Sequence, residues 1–212
     1  MSQRLTVVQH HPAESVGEIG GWADRHGIAL DIHRADLDDL PQDPIDRCVL
    51  LGGPCAVNDP PAWLLREKQW LRSRLPNGTQ VLGICLGSQL LAEALGGTVH
   101  ALDRPETGWT QIDFTDGTQV AALQWHEDTY SLPPGAEQLA SSVACAQQMF
   151  RIGKHIGIQF HPEWNATLVD ALNAHFGDAS PLPRTSDGQR HSAVTRWFHK
   201  VMDAWWTTPT SR

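Results

Sequence analysis

The segment from Val81 to Gly97 constrains the fold of this 212-residue chain more than any other. It opens with an apolar run that ends at Ile84, which is typical of a buried strand, and Ser88 to Leu95 has the apolar spacing of a helix. Cys85 therefore lies where a strand turns into a helix. Backbone N–H groups and the positive end of the helix dipole favour a thiolate at such a position. We predict that Cys85 is a nucleophile.

Glycines flank this cysteine at a characteristic spacing. Gly83-Ile84-Cys85-Leu86-Gly87 has the G-x-nucleophile-x-G pattern of a nucleophile elbow, with Cys in place of Ser. Side chains two positions either side of a strained turn would collide with the neighbouring strand and helix, so the pattern requires glycine there. Taken alone, these five residues fit a buried structural cysteine beside a tight turn equally well.

A second segment, Gln159-Phe160-His161-Pro162-Glu163, follows the apolar run from His155 to Phe160. Successive side chains of an extended segment alternate between faces, so His161 and Glu163 point the same way. Pro162 cannot donate to a sheet ladder, which suits the end of a strand. A cysteine, a histidine base and a carboxylate that orients it make up the triad of a covalent thiol enzyme. We predict that Cys85, His161 and Glu163 form such a triad.

The remaining hydrophobic patterns predict the fold. Strands at 4–9, 28–32 and 48–51 with a helix at 15–26 indicate a largely parallel sheet, and a helix at 60–75 precedes the cysteine strand. Short alternating pieces at 98–101, 109–115, 120–125 and 145–152 predict antiparallel strands beside it, and helices follow at 166–175 and 191–206. We expect an α/β fold, doubly wound, with a mostly parallel central sheet flanked by helices and added antiparallel strands, in a single domain over residues 1–212.

Three segments resemble the signature segments of class I, triad-type glutamine amidotransferase domains. They are Leu51-Gly52-Gly53-Pro54, Gly83 to Gln89, and His161-Pro162-Glu163, and their order and spacing match too. Three motifs in matching order are far more specific than one. Glu106 to Trp109 and Gln124 to Thr129 further resemble stand-alone members that are similar to the glutaminase domain of GMP synthase. The resemblance implies the flavodoxin-like fold of that family.

The resemblance also implies roles for further residues. The backbone N–H groups of Gly53 and Leu86 would form the oxyanion hole, which fits a Gly-rich turn at the same sheet edge as the cysteine. Gln89, one helical turn beyond Cys85, would help to hold the glutamine backbone, and His126 would lie beside the substrate pocket. His126 is an alternative base on its chemistry, but we favour His161.

The implied reaction is attack of the Cys85 thiolate on the side-chain amide of glutamine or another γ-glutamyl compound. Its products are glutamate and ammonia or an amine, formed through a γ-glutamyl thioester. The 212 residues contain no P-loop G-x-x-x-x-G-K-[ST], so we expect that this chain does not itself activate an ammonia acceptor.

Three functions remain open on the sequence alone. The chain passes ammonia to a separate synthase chain, acts alone as a γ-glutamyl hydrolase or peptidase, or serves as a non-catalytic regulatory or binding module on the same fold. A DJ-1/PfpI-like hydrolase is a more distant alternative, because it leaves His161-Pro162-Glu163 and Gly52-Gly53-Pro54 unexplained.

Charge and hydropathy exclude some partners. Sixteen basic and 24 acidic residues give a net charge of −8, the wrong sign for nucleic-acid binding. The densest basic cluster, Arg66, Lys68, Arg72 and Arg74, has helical spacing and predicts a solvated helix face. No apolar run approaches the ~20 residues of a membrane span, and the N-terminus lacks the features of a signal peptide. We expect a cytoplasmic protein that binds neither nucleic acid nor membrane.

The histidine and cysteine patterns predict no metal site, and we expect no cofactor. The four cysteines show no C-x-x-C pair, and no H-x-x-x-H or H-E-x-x-H helix occurs. His10 and His11 end the first strand and point to opposite faces, so we interpret them as surface or rim residues.

The C-terminal helix carries an apolar stripe. Trp197, Val201 and Trp205 recur at four-residue spacing, which predicts docking on the core. Adjacent Trp205 and Trp206 are difficult to bury with one helix face. A homodimer or other partner contact is therefore the second interpretation of this helix.

Overall fold

The computed structural model describes residues 3–185 and 187–210, and within them nine strands form one sheet. The strands are β1 (Arg4–Gln9), β2 (Ala29–Arg34), β3 (Arg47–Leu50), β4 (Gln80–Ile84), β5 (Val99–Phe114), β6 (Gln119–Tyr130), β7 (Glu137–Ser141), β8 (Met149–Ile152) and β9 (His155–Ile158). The helices are α1 (Glu18–His26), α2 (Ala62–Arg74), α3 (Leu86–Ala94), α4 (Ala166–Phe176) and α5 (Gly188–Thr207), with a 3-10 turn at Gly177–Ala179 after α4.

The sheet has the order β2-β1-β3-β4-β9-β8-β7-β5-β6. The first five strands in this order are parallel to one another, and the last four continue the sheet in antiparallel fashion. This arrangement confirms the predicted α/β class with a mainly parallel centre and added antiparallel strands. The extent of a single domain over residues 1–212 stays a prediction.

Alternation along the central strands sends side chains into two cores. In β1, Leu5 and Val7 pack against residues of α1 and α5 on one face, whereas Val8 packs against residues of α2 and α3 on the other. Helices therefore cover both faces of the parallel strands, as a doubly wound sheet requires. A smaller cluster joins α4 to Leu123 of β6 and to Trp164.

The antiparallel part differs most from the sequence prediction. Two of the predicted pieces, 98–101 and 109–115, belong to the single strand β5, which has a register shift between Ala101 and Glu106. Many residues between these pieces are exposed, so the sequence lacks the alternation that identifies a strand. The prediction also missed β7, a five-residue strand held by pairing to β5 and β8.

The basic residues of α2 are not uniformly solvated. Lys68 Nζ lies 2.9 Å from Glu93 Oε1 of α3. Arg74 is buried and donates hydrogen bonds to the carbonyls of Pro41 and Asp43. The predicted solvated helix face is therefore wrong for these two residues, which tie α2 to its neighbours, whereas Arg66 and Arg72 are exposed.

Other residues of the same chain cover both tryptophans at the end of helix α5. Trp205 is buried, and Trp206 packs edge-on against Trp22 of α1 with 5.6 Å between ring centroids. The Arg47 guanidinium lies 4.5 Å from the centroid of the Trp206 ring. The feature that suggested a dimer contact is thus satisfied within the chain, and core docking of α5 is the better interpretation. Neither α5 nor any other helix of the described residues is long and apolar enough to cross a membrane.

Candidate active site

Cys85 occupies a strained turn between β4 and α3. Its φ of 51° and ψ of −110° make it the one non-glycine residue of the described chain with positive φ. A methyl group at Gly83 would collide with the carbonyl of Gly87, and one at Gly87 would collide with the carbonyl of Leu50. The two glycines of the elbow pattern therefore allow β4, α3 and β3 to approach closely enough to form the turn.

The cysteine and the histidine of the predicted triad meet beside Gly52. A methyl group at Gly52 would lie 2.8 Å from His161 Cε1 and 3.6 Å from Cys85 Cβ. This proximity follows from sheet order, because β4 and β9 are neighbouring parallel strands and both residues follow their carboxyl ends. The Cys85 N–H also donates to the Ile158 carbonyl at 2.8 Å, which ties the turn to the end of β9.

His161 and Glu163 form a buried ion pair. The Nδ1 atom of His161 donates to Oε1 of Glu163 at 2.8 Å, and both side chains are about 2% exposed or less. The backbone N–H of His161 donates to the Leu123 carbonyl, which fixes the segment after β9 against β6. Burial lowers the pKa of His161, but neighbouring Glu163 and Cys85 outweigh that effect and raise it to about 10. The imidazole is therefore held protonated at neutral pH.

Two backbone N–H groups at the site have no protein acceptor among the described residues. Leu86 is the first residue of α3, where a helix leaves the N–H without an internal partner. Gly53 lies beside it, because a methyl group there would be 3.0 Å from Leu86 Cδ2. Both residues line the same cavity as Cys85. The structure thus places the Gly53 and Leu86 N–H groups on one cavity with Cys85, and their role as an oxyanion hole stays a prediction.

A cavity of about 290 Å³ opens above Cys85 and His161. This volume is near the lower end of the range for small-molecule sites and suits a ligand of amino-acid size. Gln89 and His126 both line it, and their roles in substrate binding stay predictions. Other lining residues include Glu14, Cys55, Trp125, Glu127, Asp128, Trp164 and Phe176.

Hydrogen bonds and one ion pair hold the two predicted substrate-binding side chains, Gln89 of α3 and His126 of β6, in place. Gln89 Nε2 donates to the Asp128 carbonyl at 3.1 Å and to Gln159 Oε1 at 3.3 Å. His126 Nδ1 bonds the Asp128 carbonyl at 2.9 Å, and its Nε2 lies 3.2 Å from Glu106 Oε2. His126 therefore faces a carboxylate of its own, but His161 has both a carboxylate and the Cys85 thiol as neighbours.

Sequence reasoning missed Glu14 at this site. The carboxylate is largely buried, lines the cavity and approaches the same point beside Gly52 as His161 does. Burial is the largest influence on Glu14 and raises its pKa, although His161 opposes that shift. Its position shortly after β1, at the carboxyl edge of a parallel sheet, was a signal that could have identified it.

The interpretation of His10 as a surface or rim residue is wrong. His10 is 3% exposed and lies between Gly52 and Glu67, with Nδ1 3.0 Å from the Gly52 carbonyl and Nε2 2.9 Å from Glu67 Oε1. Glu67 occurs among basic residues of α2, yet it is fully buried. The spacing of Trp63, Glu67 and Trp70 on one helix face could have revealed its inward direction.

The cysteines of the described chain are all free thiols. Cys48 and Cys145 are buried in strand and loop packing, and burial raises the pKa of both. Cys55 is half-buried and lines the cavity. Within residues 3–185 and 187–210, no cluster of three or more His, Cys, Asp or Glu side chains is placed to hold a metal ion.

Comparisons with known proteins agree with this architecture. Residues 24–173 match the family model of the class-I glutamine amidotransferases. The glutamine amidotransferase-like protein YfeJ of Salmonella typhimurium is 31% identical over 192 residues, which cover 81% of this chain and 80% of YfeJ. This chain therefore belongs to the class I glutamine amidotransferase family.

This chain is also similar to part of a larger enzyme and to glutamine amidotransferases of known structure. GMP synthase of Thermomicrobium roseum is 38% identical over 54% of this chain, a match that covers 23% of the synthase. A glutamine amidotransferase from Methylobacillus flagellatus superposes with a TM-score of 0.87 at 26% identity, covering 97% of this chain and 95% of that structure. A glutamine amidotransferase from Thermotoga maritima has a TM-score of 0.86 at 23% identity over 98% of this chain and all of that structure, which shows a shared fold.

Proposed function

We propose that this protein hydrolyses the side-chain amide of glutamine or of a related γ-glutamyl compound, with Cys85 as nucleophile. The observation that supports this function best is the convergence of Cys85 and the buried His161–Glu163 pair beside Gly52, under a cavity of amino-acid size. The N–H groups of Gly53 and Leu86 lie on the same cavity, and neither has an acceptor within residues 3–185 and 187–210.

In the first half of the reaction, the Cys85 thiolate attacks the carbonyl carbon of the amide and a C–S bond forms. The N–H groups of Gly53 and Leu86 donate hydrogen bonds to the oxygen as negative charge develops on it, and each such donor contributes roughly 3 kcal/mol to lowering the barrier. Protonated His161 gives its proton to the departing nitrogen as the C–N bond breaks. Ammonia or an amine leaves, and a γ-glutamyl thioester remains.

In the second half, neutral His161 takes a proton from a water molecule, which attacks the thioester carbon. The C–S bond breaks, glutamate leaves, and the thiolate and the protonated imidazole are restored. Glu163 keeps the imidazole ring in place through both halves and stabilises its positive charge. The net change is consumption of one water and release of one ammonia or amine.

The experiment offers the purified chain a panel of glutamine and γ-glutamyl amides and measures glutamate. We expect wild-type protein to release glutamate and Cys85→Ala to release none, while both retain the same circular dichroism spectrum. A glutamine analogue that carries a chloroketone in place of the amide should add one mass label to wild type and none to Cys85→Ala. Glutamate release that persists in Cys85→Ala contradicts the assignment.

Two versions of this function differ in where the ammonia goes. Similarity to a region of GMP synthases supports delivery to a separate synthase chain. The match that covers 80% of YfeJ supports a function carried by a chain of this length, as a stand-alone γ-glutamyl hydrolase would be. Activity that appears only with a co-purifying synthase favours the first, and rapid turnover of γ-glutamyl peptides by the lone chain favours the second.

A non-catalytic module is the remaining candidate, and thiol reactivity tests it. Cys48 is fully buried, so it serves as an internal reference for an inert thiol. The proposed enzyme requires that iodoacetamide alkylates Cys85 much faster than Cys48. Equal reactivity of the two cysteines favours the module.

A further inference from the structure

His10 and Glu67 form a buried ion pair that the proposed reaction does not use. They lie 57 residues apart in sequence, yet both side chains are 0% exposed, and His10 Nε2 lies 2.9 and 3.0 Å from the two Glu67 carboxylate oxygens. Removing two charged groups from water is costly, and a buried pair is weak evidence for a stabilising role. The location of this pair points to another purpose.

The other nitrogen of His10 bonds the Gly-rich turn after β3. His10 Nδ1–H donates to the Gly52 carbonyl at 3.0 Å, while Nε2–H donates to Glu67. Because a carbonyl and a carboxylate both accept hydrogen bonds, both nitrogens of the imidazole carry a proton. Burial opposes this state, but Glu67 and the Gly52 carbonyl together raise the pKa of His10 above its ordinary value.

The Gly52 carbonyl belongs to the same peptide unit as the Gly53 N–H. The described chain contains no cis peptide bond, so the two groups point in opposite directions across the peptide plane. A bond that fixes the carbonyl toward His10 therefore fixes the N–H away from it. That N–H has no protein acceptor among the described residues, and Gly53 lines the cavity above Cys85.

A glycine pair needs this restraint because it has more backbone freedom than any other dipeptide. The His10 ring lies over Trp63 with 6.0 Å between centroids and 23° between planes, so the ring itself is held from the other side. A methyl group at Gly53 would lie 2.6 Å from His10 Cβ, which shows how closely the turn lies against this histidine. Hydrogen bonding to the carbonyl also polarises the peptide and makes its N–H a stronger donor.

We infer that His10, oriented by Glu67, is a positioning residue that aims the Gly53 N–H at the oxyanion of the reaction. This inference rests on the proposed function, since it assigns a support to one of that reaction's two oxyanion donors. It also means that buried contacts within the chain hold the Gly53 donor of the oxyanion hole in position.

The test compares His10→Ala with His10→Asn, whose amide N–H can replace Nδ1–H toward the Gly52 carbonyl. We expect kcat of His10→Ala to fall about 100-fold, as for loss of one oxyanion donor, and His10→Asn to recover most of it. KM should change by less than about threefold, because the donor acts on the transition state. Alkylation of Cys85 by iodoacetamide forms no oxyanion, so its rate should be the same in all three proteins.

His155→Ala is the matched control, because it removes a histidine at the opposite end of the sheet, where His155 Nδ1 accepts from the Val81 N–H. Its kcat should equal that of wild type even if its melting temperature falls. In wild type, 15N chemical shifts should show both nitrogens of His10 protonated at pH 7.5, a readout that needs neither activity nor a folded variant.

Two outcomes overturn the positioning role: a folded His10→Ala variant as active as wild type, or a His10 ring with an unprotonated Nδ1. A wild-type chain that hydrolyses no γ-glutamyl amide contradicts the proposed function instead. The two failures are therefore distinguishable in one set of measurements.

Discussion

Trp164 lies flat against His161, with 3.6 Å between ring centroids and 14° between ring planes. Trp164 is 2% exposed, and its backbone carbonyl accepts a hydrogen bond from His191 Nδ1 of α5 at 3.2 Å, which ties the Trp164 backbone to that helix. An aromatic face next to a protonated imidazole stabilises the positive charge by a cation–π interaction. The indole thus protects the face of His161 and favours its charged form.

The first prediction concerns this stacking. Trp164→Leu should lower the alkaline pKa in the pH profile of kcat/KM by about one unit, because a desolvated cation–π contact contributes roughly 1–2 kcal/mol. Trp70→Leu on α2 is the control: it removes a buried indole of the core between α2, α3 and the sheet, and should destabilise the protein without moving that pKa. An unchanged alkaline limb in Trp164→Leu contradicts the role of the indole.

The second prediction concerns pH and stability. The pKa of His161 is raised from 6.5 to about 10, so its contribution to the free energy of unfolding is complete below pH 6.5 and is lost as pH rises toward 10. Wild type should therefore lose its stability advantage over His161→Gln between pH 6.5 and 10, as measured by urea unfolding. A constant difference between the two proteins over this range argues against a protonated His161.

The third prediction concerns His155, whose effect on stability has the opposite pH dependence to that of His161. The pKa of His155 is lowered to about 4, first by burial and then by Lys154, so its contribution is complete above pH 6.5 and is lost as pH falls toward 4. His155→Gln keeps an acceptor for the Val81 N–H and has no titrating group, so it should resist acid better by up to about 3 kcal/mol at pH 4. Equal acid unfolding curves for the two proteins contradict this assignment.

The fourth prediction concerns backbone strain at the elbow. A non-glycine residue at φ of 51° and ψ of −110° is strained by about 1–3 kcal/mol. Cys85→Gly should therefore be about 1 kcal/mol more stable than Cys85→Ala, which reverses the usual preference for alanine. Thermal unfolding of both variants measures the difference, and a more stable alanine variant means that the turn relaxes.

The fifth prediction concerns close approach at Gly83. Gly83→Ala places a methyl group against the backbone of Gly87, so we expect a loss of about 3 kcal/mol or more in stability. Gly188→Ala is the control, because a methyl group there meets nothing within 4 Å and α5 gains a better helix former. Its stability should be unchanged or raised by up to about 1 kcal/mol. Similar unfolding midpoints for the two variants would contradict the steric basis of the elbow.

Much of the candidate site could be predicted because its signals are local. The elbow glycines, the end of β9 and the turn after β3 each carry a short pattern, and parallel topology alone brings strand ends to one edge. Gly53, Leu86, Gln89 and His126 line one cavity with Cys85. Their catalytic or binding roles stay predictions until activity is measured.

The missed features depend on distant contacts instead. Glu67 reads as one charge among basic neighbours, and only the three-dimensional structure reveals that it lies against His10. Trp206 looks unburied from the helix pattern because its cover comes from Trp22 and Arg47, which precede it by well over a hundred residues. Strand β7 exists through pairing on both sides rather than through a strong pattern of its own.

Direct bonding between the ends of β4 and β9 has a consequence for how such a protein can diversify. Cys85 and His161 follow the ends of two strands that are neighbours in the parallel ladder, whereas much of the cavity wall comes from β6 and the loop after β3. Substitutions in those walls can change which ligand the cavity admits while leaving the positions of Cys85 and His161 undisturbed. The shape of the cavity and the placement of Cys85 and His161 are thereby separable, so new cavity walls can be grafted without rebuilding the turn at Cys85.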